Sequence, residues 1–127
     1  MNRLARQPRT LYSMALDFEQ PFTERTPRVV NAGKLKRAQA RRKAKAFLAE
    51  GENAVEAAVA TGAATDLFVT EAAAERFEEI VRAAGYMDVY RHAITQRAAE
   101  SLADAVTSTG IFAVCRPVLW KIGRAHV

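Results

Sequence analysis

Cysteine and histidine are scarce in this chain, and their scarcity excludes two common ways of cross-linking a small fold. The 127 residues include one cysteine, Cys115, and two histidines, His92 and His126. A single cysteine cannot form an intramolecular disulfide, and no His or Cys pair stands at the spacing of a metal site. We therefore expect a buried thiol, no bound metal and a cytoplasmic location.

Long apolar runs and recognisable catalytic motifs are also missing. The apolar runs are only a few residues long, whereas a membrane-spanning helix needs ~20 residues. Three arginines stand near the start, but no apolar segment of a secretory signal follows them. The chain has no glycine-rich phosphate loop and no Gly-x-Ser-x-Gly elbow. We accordingly expect no membrane insertion, no catalytic residue and no cofactor held by this chain.

Acidic residues are absent from one stretch, residues 25–45, which we call the basic segment. It carries nine basic residues, namely Arg25, Arg28, Lys34, Lys36, Arg37, Arg41, Arg42, Lys43 and Lys45. Residues 46–114 have the opposite balance, with eleven acidic residues against four arginines. Concentrated positive charge attracts a polyanion through counterion release, whereas the alternative is a solubilising arm without a specific partner. Because no aromatic residues alternate with these bases, charge alone favours contacts with a phosphate backbone over base recognition.

The basic segment is rich in good helix formers from residue 28 to residue 45. Its only sizeable apolar residues are Val29, Val30 and Leu35. We expect a short helix that these three residues dock, with the rest of the segment solvated. Residues 1–24 show no sustained period, so we expect them to be disordered or an upstream extension, with Met14 as a second plausible start.

Residues 46–117 alternate short apolar strands with helical patterns. Strands are predicted at residues 46–49, 66–70, 87–92 and 111–115, and helices at residues 53–61, 71–84 and 95–105, with Thr95 as a cap. This alternation is typical of a largely parallel sheet covered by helices on both faces. The sequence therefore predicts an α/β fold, a small α/β/α sandwich with a mostly parallel four-stranded sheet, preceded by a basic helix.

Several short strings, taken in order, resemble the opening of SpoU-type (TrmH-like) RNA ribose 2′-O-methyltransferases. They are Arg-Val-Val-Asn-Ala-Gly-Lys-Leu at 28–35, Arg-Arg-Lys at 41–43, Phe-Leu-Ala-Glu-Gly at 47–51, Leu-Phe-Val-Thr-Glu at 67–71 and Thr-Gly-Ile-Phe-Ala-Val at 109–114. The match covers residues 28 to about 117. In that family this region is an N-terminal substrate-binding domain.

The resemblance implies a fold similar to that of kink-turn-binding ribosomal proteins and a role in holding ribosomal or transfer RNA. The residues expected to contact RNA are Arg28, Lys34, Lys36, Arg37, Arg41, Arg42, Lys43 and Lys45. The resemblance also implies a following knotted SPOUT domain, which binds S-adenosylmethionine, carries the methyl transfer and forms most of a homodimer. That domain is not in this chain, so we expect the chain to be inactive alone.

The end of the chain suggests why the catalytic domain is missing. Residues 122–127 read Ile-Gly-Arg-Ala-His-Val, which a widely used sequencing adapter encodes in one frame. We expect residues 118–127 to be a cut linker, residues 121–127 to be an assembly artefact, and the native gene to continue. The alternatives are a complete, free-standing RNA-binding protein of the kink-turn-binder type and an interaction domain with a solubilising arm.

Overall fold

The computed structural model describes residues 16–104 and 108–117, and the predictions made for residues 1–15 and 118–127 lie outside this part. Its helices and strands, in chain order, are α1 (Pro27–Lys34), α2 (Ala38–Ala44), β1 (Phe47–Glu50), α3 (Glu52–Ala60), β2 (Ala64–Val69), α4 (Glu71–Arg76), α5 (Glu78–Tyr86), β3 (Tyr90–Ala93), α6 (Gln96–Leu102) and β4 (Ile111–Cys115). Of the described helices, none combines the length and the apolar character needed to cross a bilayer.

The four strands form one mixed sheet in the order β1-β4-β2-β3. Strand β3 is parallel to β2, whereas β4 lies between β1 and β2 and is antiparallel to both. The α/β class is confirmed, but the prediction of a mostly parallel sheet is wrong.

The direction of β4 follows from the connection that precedes it. Ala93, at the end of β3, and Ile111, at the start of β4, both pair with Val69 at the end of β2. The chain therefore leaves β3 and enters β4 at the same edge of the sheet, so the two strands run in opposite directions. Helix α6 ends at Leu102, and the chain enters β4 at Ile111. A parallel strand would instead need a connection that crosses to the other edge.

Alternating side chains of the central strands build a separate core on each face of the sheet. Leu67 and Val69 pack with helices α3, α4 and α5 on one face, which we call the first face. Phe68 and Phe112 pack with α1 and α6 on the other, the second face. Helices on both faces are thus confirmed. Cys115 belongs to the first core, where burial raises the pKa of its thiol to about 11, as expected for a buried cysteine.

The helix predicted over residues 71–84 is two helices in the structure. Phe77 separates α4 from α5 with φ −113° and ψ 42°, values outside the helical region. The helical spacing of buried apolar residues continues across this break, since Phe77, Ile80, Val81 and Ala84 are all buried. For this reason hydrophobic spacing alone could not predict the interruption.

The predicted third strand begins too early. Backbone N–H groups of Met87, Asp88 and Val89 donate to carbonyls at the end of α5, and Asp88 has a positive φ of 58°. These residues therefore terminate a helix that runs past Gly85, and strand pairing starts only at Tyr90.

Residues 16–24, part of the stretch expected to be disordered or an upstream extension, are bonded to the sheet. The backbone N–H of Phe22 donates to the Ala93 carbonyl at 2.8 Å, and the Thr95 N–H donates to the Phe22 carbonyl at 3.0 Å. Thr95 also caps α6 as predicted, because its hydroxyl oxygen accepts from the Ala98 N–H at 3.0 Å. This segment thus reaches the second face of the sheet, where the basic segment also lies.

Candidate nucleic-acid interface

The basic segment folds into α1 and α2, which differ in how they meet the rest of the molecule. Helix α1 docks through Val29, Ala32 and Leu35, which are buried, whereas Val30 is 42% exposed. Neighbouring helical residues point about 100° apart, and in α1 this turn directs Val29 toward the sheet and Val30 toward solvent. Docking by Val30 is therefore a wrong expectation, and Ala32 takes its place.

Helix α2 has no buried residue. A helix of seven residues would be marginal on its own in water, so the fold must hold α2 through its ends. Arg116 does so at the C-terminal end, where its guanidinium donates to the carbonyls of Ala44 at 2.8 Å and Lys45 at 3.3 Å. This arrangement keeps the side chains of α2 in solvent and fixes the helix against β4.

Five of the eight predicted RNA-contacting residues have charged groups without a partner in the part of the chain that the structure describes. Within residues 16–104 and 108–117, no side-chain hydrogen bond or ion pair is formed by Lys34, Arg37, Arg42, Lys43 and Lys45. All five are exposed. They lie between residues 34 and 45, within or next to α2, and we call them the free cations.

The other three predicted residues are engaged inside the molecule. Lys36 Nζ donates to the Ser101 carbonyl at 2.8 Å, at the end of α6, and Arg41 donates to the Leu35 carbonyl at 3.0 Å, at the end of α1. Cations placed at helix C-termini in this way satisfy carbonyls that lack helical partners. The third, Arg28, donates to Asp66 Oδ2 at 3.0 Å. Residue type alone could not separate these engaged cations from the free ones.

A cleft of about 590 Å³ opens on the second face, between α1 and the C-terminal end of α2. Phe68 of β2 and Val114 of β4 line it from the sheet. Its remaining lining comes from Phe22, Thr26, Pro27, Arg28, Asn31, Ala32, Leu35, Ala44, Ala46, Asp66 and Arg116. The cleft therefore joins an apolar surface to a rim that carries two guanidinium groups and the end of α2.

Asp66 bonds to three neighbouring side chains on the polar side of this cleft. Its Oδ1 accepts from the Thr65 hydroxyl at 3.0 Å, and its Oδ2 accepts from Arg28 and lies 2.8 Å from His92 Nε2. Burial alone would raise the pKa of Asp66, but hydrogen bonds with His92 and Thr65 and the charges of His92 and Arg28 hold it below its ordinary value. The His92 ring lies between Phe22 and Phe68, with centroid distances of 5.2 and 5.0 Å. Arg28 is thus anchored on a carboxylate that is itself held in place.

The family model for the MRM3-like substrate binding domain matches residues 26–113, which span both helices of the basic segment and most of the cleft lining. This chain belongs to the MRM3-like substrate-binding domain family. The resemblance to SpoU-type methyltransferase substrate-binding domains is confirmed. No curated protein sequence matches the chain.

Solved structures of RNA methyltransferases share the fold of this MRM3-like domain. An rRNA methyltransferase from Sinorhizobium meliloti superposes with a TM-score of 0.64 over 81% of this chain and 38% of its own, at 13% identity. A structure described as an RNA 2′-O ribose methyltransferase gives a TM-score of 0.62 over 76% of this chain and 37% of its own, at 21% identity. The chain spans less than two fifths of either enzyme, and at these identities the likeness concerns the fold.

The two faces of the MRM3-like domain carry opposite charge. Helices α3, α4 and α5, on the first face, expose Glu52, Glu56, Glu71, Glu75, Glu78 and Glu79. The free cations lie in or next to α2, whose last residue, Ala44, lines the cleft on the second face. A polyanion is therefore attracted to one side of the domain and repelled by the other.

Asn31, Asp66 and Arg116 line the cleft but were not predicted from the sequence. Asp66 and His92 meet because β2 and β3 are parallel neighbours in a register that pairs Phe68 with His92. Arg116 reaches α2 because β4 is antiparallel to β1, which follows α2 in the chain. Both contacts depend on the order of strands in the sheet, which apolar spacing does not encode.

Proposed function

We propose that this chain is the RNA-binding, substrate-recognition domain of an RNA ribose 2′-O-methyltransferase that acts on ribosomal or transfer RNA in the cytoplasm. The observation that carries the proposal is α2, a helix without a buried residue around which five cations have no partner in the described part of the chain. Family membership supports it, because the matched family is a substrate-binding domain.

Electrostatics supports a nucleic acid as the substrate. The free cations are fully available to phosphate groups, and each phosphate that they neutralise releases condensed counterions. Contacts of this kind position a polyanion without reading its sequence. They suit a domain that holds RNA while another domain carries out the reaction.

We propose that the methyl donor, S-adenosylmethionine, is not bound in the cleft described above. Its sulfonium group is positively charged, whereas the cleft is lined by the guanidinium groups of Arg28 and Arg116. Asp66 is the carboxylate in the lining, and both of its oxygens are already engaged. We propose instead that a knotted SPOUT domain binds the donor, carries the chemistry and forms the homodimer. The chain alone should then transfer no methyl group from S-adenosylmethionine to RNA, and measurable turnover would contradict this assignment.

A salt series with structured RNA tests the RNA-binding proposal. Arg37, Arg42 and Lys43 are replaced together by Gln, and the matched control replaces Arg76, Arg82 and Arg97, three arginines from the acidic part of the chain. Each variant loses three positive charges. We expect the first to flatten the slope of log affinity against log salt by about 2 to 3 and the control to leave it nearly unchanged. Equal losses in the two variants would show that only net charge matters and would refute the proposed interface.

A further inference from the structure

We propose that the cleft beside α2 receives one base of a single-stranded stretch of RNA. This inference rests on the proposed function and adds base recognition to it. The basic segment alone pointed to backbone contacts, because no aromatic residue alternates with its cations. The fold changes that expectation, since it places an apolar cleft at the end of the most exposed basic helix.

The size and lining of the cleft suit a base. Its volume of about 590 Å³ lies within the usual range of small-ligand sites, ≈ 300–1,000 Å³. Phe22, Pro27 and Val114, which line the cleft and are not buried, provide apolar surface for the ring. Sequence-specific binding of RNA takes bases out of single strands and buries them against such surfaces.

Polar groups that could bond to the base edge are present in the same lining. Arg28 uses one N–H group on Asp66, and its side chain is 55% exposed, so the rest of its guanidinium fork remains accessible. The Asn31 amide forms no hydrogen bond within residues 16–104 and 108–117, and it offers two donors and one acceptor. Arginine and asparagine recognise base edges through bidentate pairs of this kind.

The charge around the cleft selects RNA as its occupant. Ala44, in the cleft wall, is the last residue of α2, and Lys45 follows it with an exposed side chain. Lys43 and Arg42 precede it on the same helix. Phosphates bound by these three cations would bring the neighbouring base to the mouth of the cleft. An apolar peptide segment would gain nothing from these three cations or from Arg28 and Arg116 in the lining.

Two tryptophan substitutions on α2 test the proposal without altering charge. Ala44→Trp places an indole at the cleft wall, whereas Ala38→Trp places one at an exposed position of the same helix outside the cleft lining. The probes are a short single-stranded RNA with a fluorescent label and a duplex of the same length. We expect Ala44→Trp to weaken single-strand binding by about tenfold, the size of one base contact, and to leave duplex binding nearly unchanged. Ala38→Trp should bind both probes like the unaltered chain.

Methyl NMR spectra of the unaltered chain provide a second readout that does not depend on a variant. The single-stranded RNA should shift the methyl signals of Leu35 and Val114, and the same RNA with abasic sites, which keeps the phosphates, should not. Unchanged single-strand affinity in Ala44→Trp, or equal shifts with abasic RNA, would overturn the cleft proposal while RNA binding itself stands. Absence of any RNA binding by the unaltered chain would overturn the proposed function together with it.

Discussion

On the first face of the sheet, three helices close over a continuous apolar core, whereas on the second face two helices leave a cleft open beside them. The first core includes side chains from three strands and from α3, α4 and α5. The second is smaller, and Leu48 and Val114 at its border remain partly exposed. Burial of apolar surface is the main source of stability, so the closed face should hold the fold together. The open face can then present a cleft and cations at little cost in stability.

The largest expected effect comes from matched leucine truncations on the two faces. Leu67→Ala removes a fully buried side chain from the first core and should lower the free energy of unfolding by about 2–5 kcal/mol. Leu48→Ala, at the border of the second core, should cost less than half as much, because its site is already partly solvated. Urea denaturation followed by circular dichroism measures both. Equal losses would show that the two faces are packed alike.

Two glycines with the same backbone conformation sharpen the comparison further. Gly110 and Gly62 both have φ +82°, but a Cβ at Gly110 would lie 2.7 Å from the Thr70 hydroxyl oxygen, whereas one at Gly62 would meet nothing within 4 Å. Gly62→Ala should therefore cost only the left-handed strain, about 1–2 kcal/mol. Gly110→Ala should cost more, since Thr70 also caps α4 and must shift. Thermal unfolding of the two variants separates strain from steric overlap, and similar melting temperatures would contradict the crowding at Gly110.

Asp66 should make the open face sensitive to acid. Its folded-state pKa is lowered, so its contribution to stability is complete above the ordinary aspartate pKa of about 4 and is lost as the pH falls through the lowered value. The stability of the unaltered chain should accordingly fall in this acid range. Asp66→Asn cannot ionise and should show a weaker fall there. Unfolding free energies measured from neutral pH to pH 3 test this, and parallel curves for the two proteins would exclude the assigned role.

Local features of this domain could be predicted from the sequence, whereas the arrangement of its strands and helices in space could not. The bounds of β4 and the Thr95 cap depend on residues that are neighbours in the chain, and both are confirmed. The direction of β4 depends on the edge of the sheet at which the chain enters the strand, and the apolar pattern of a strand is the same in either direction. The cleft depends in turn on that direction, because Arg116 and Val114 reach it from β4. The basic charge was therefore visible in the sequence, but the site beside it was not.

The smallest expected effects separate cations that hold the fold from cations that bind RNA. Lys36→Gln removes the ammonium group that bonds to the end of α6, so it should lower the free energy of unfolding by about 0.3–1 kcal/mol and change RNA affinity little. Lys43→Gln removes a free cation, so stability should stay within about 0.5 kcal/mol while the salt slope falls by about 0.7–0.9. The two substitutions are chemically identical and lie seven residues apart. If both variants lost RNA affinity equally, Lys36 would contact RNA despite its hydrogen bonds. The interface would then extend from α2 toward α1.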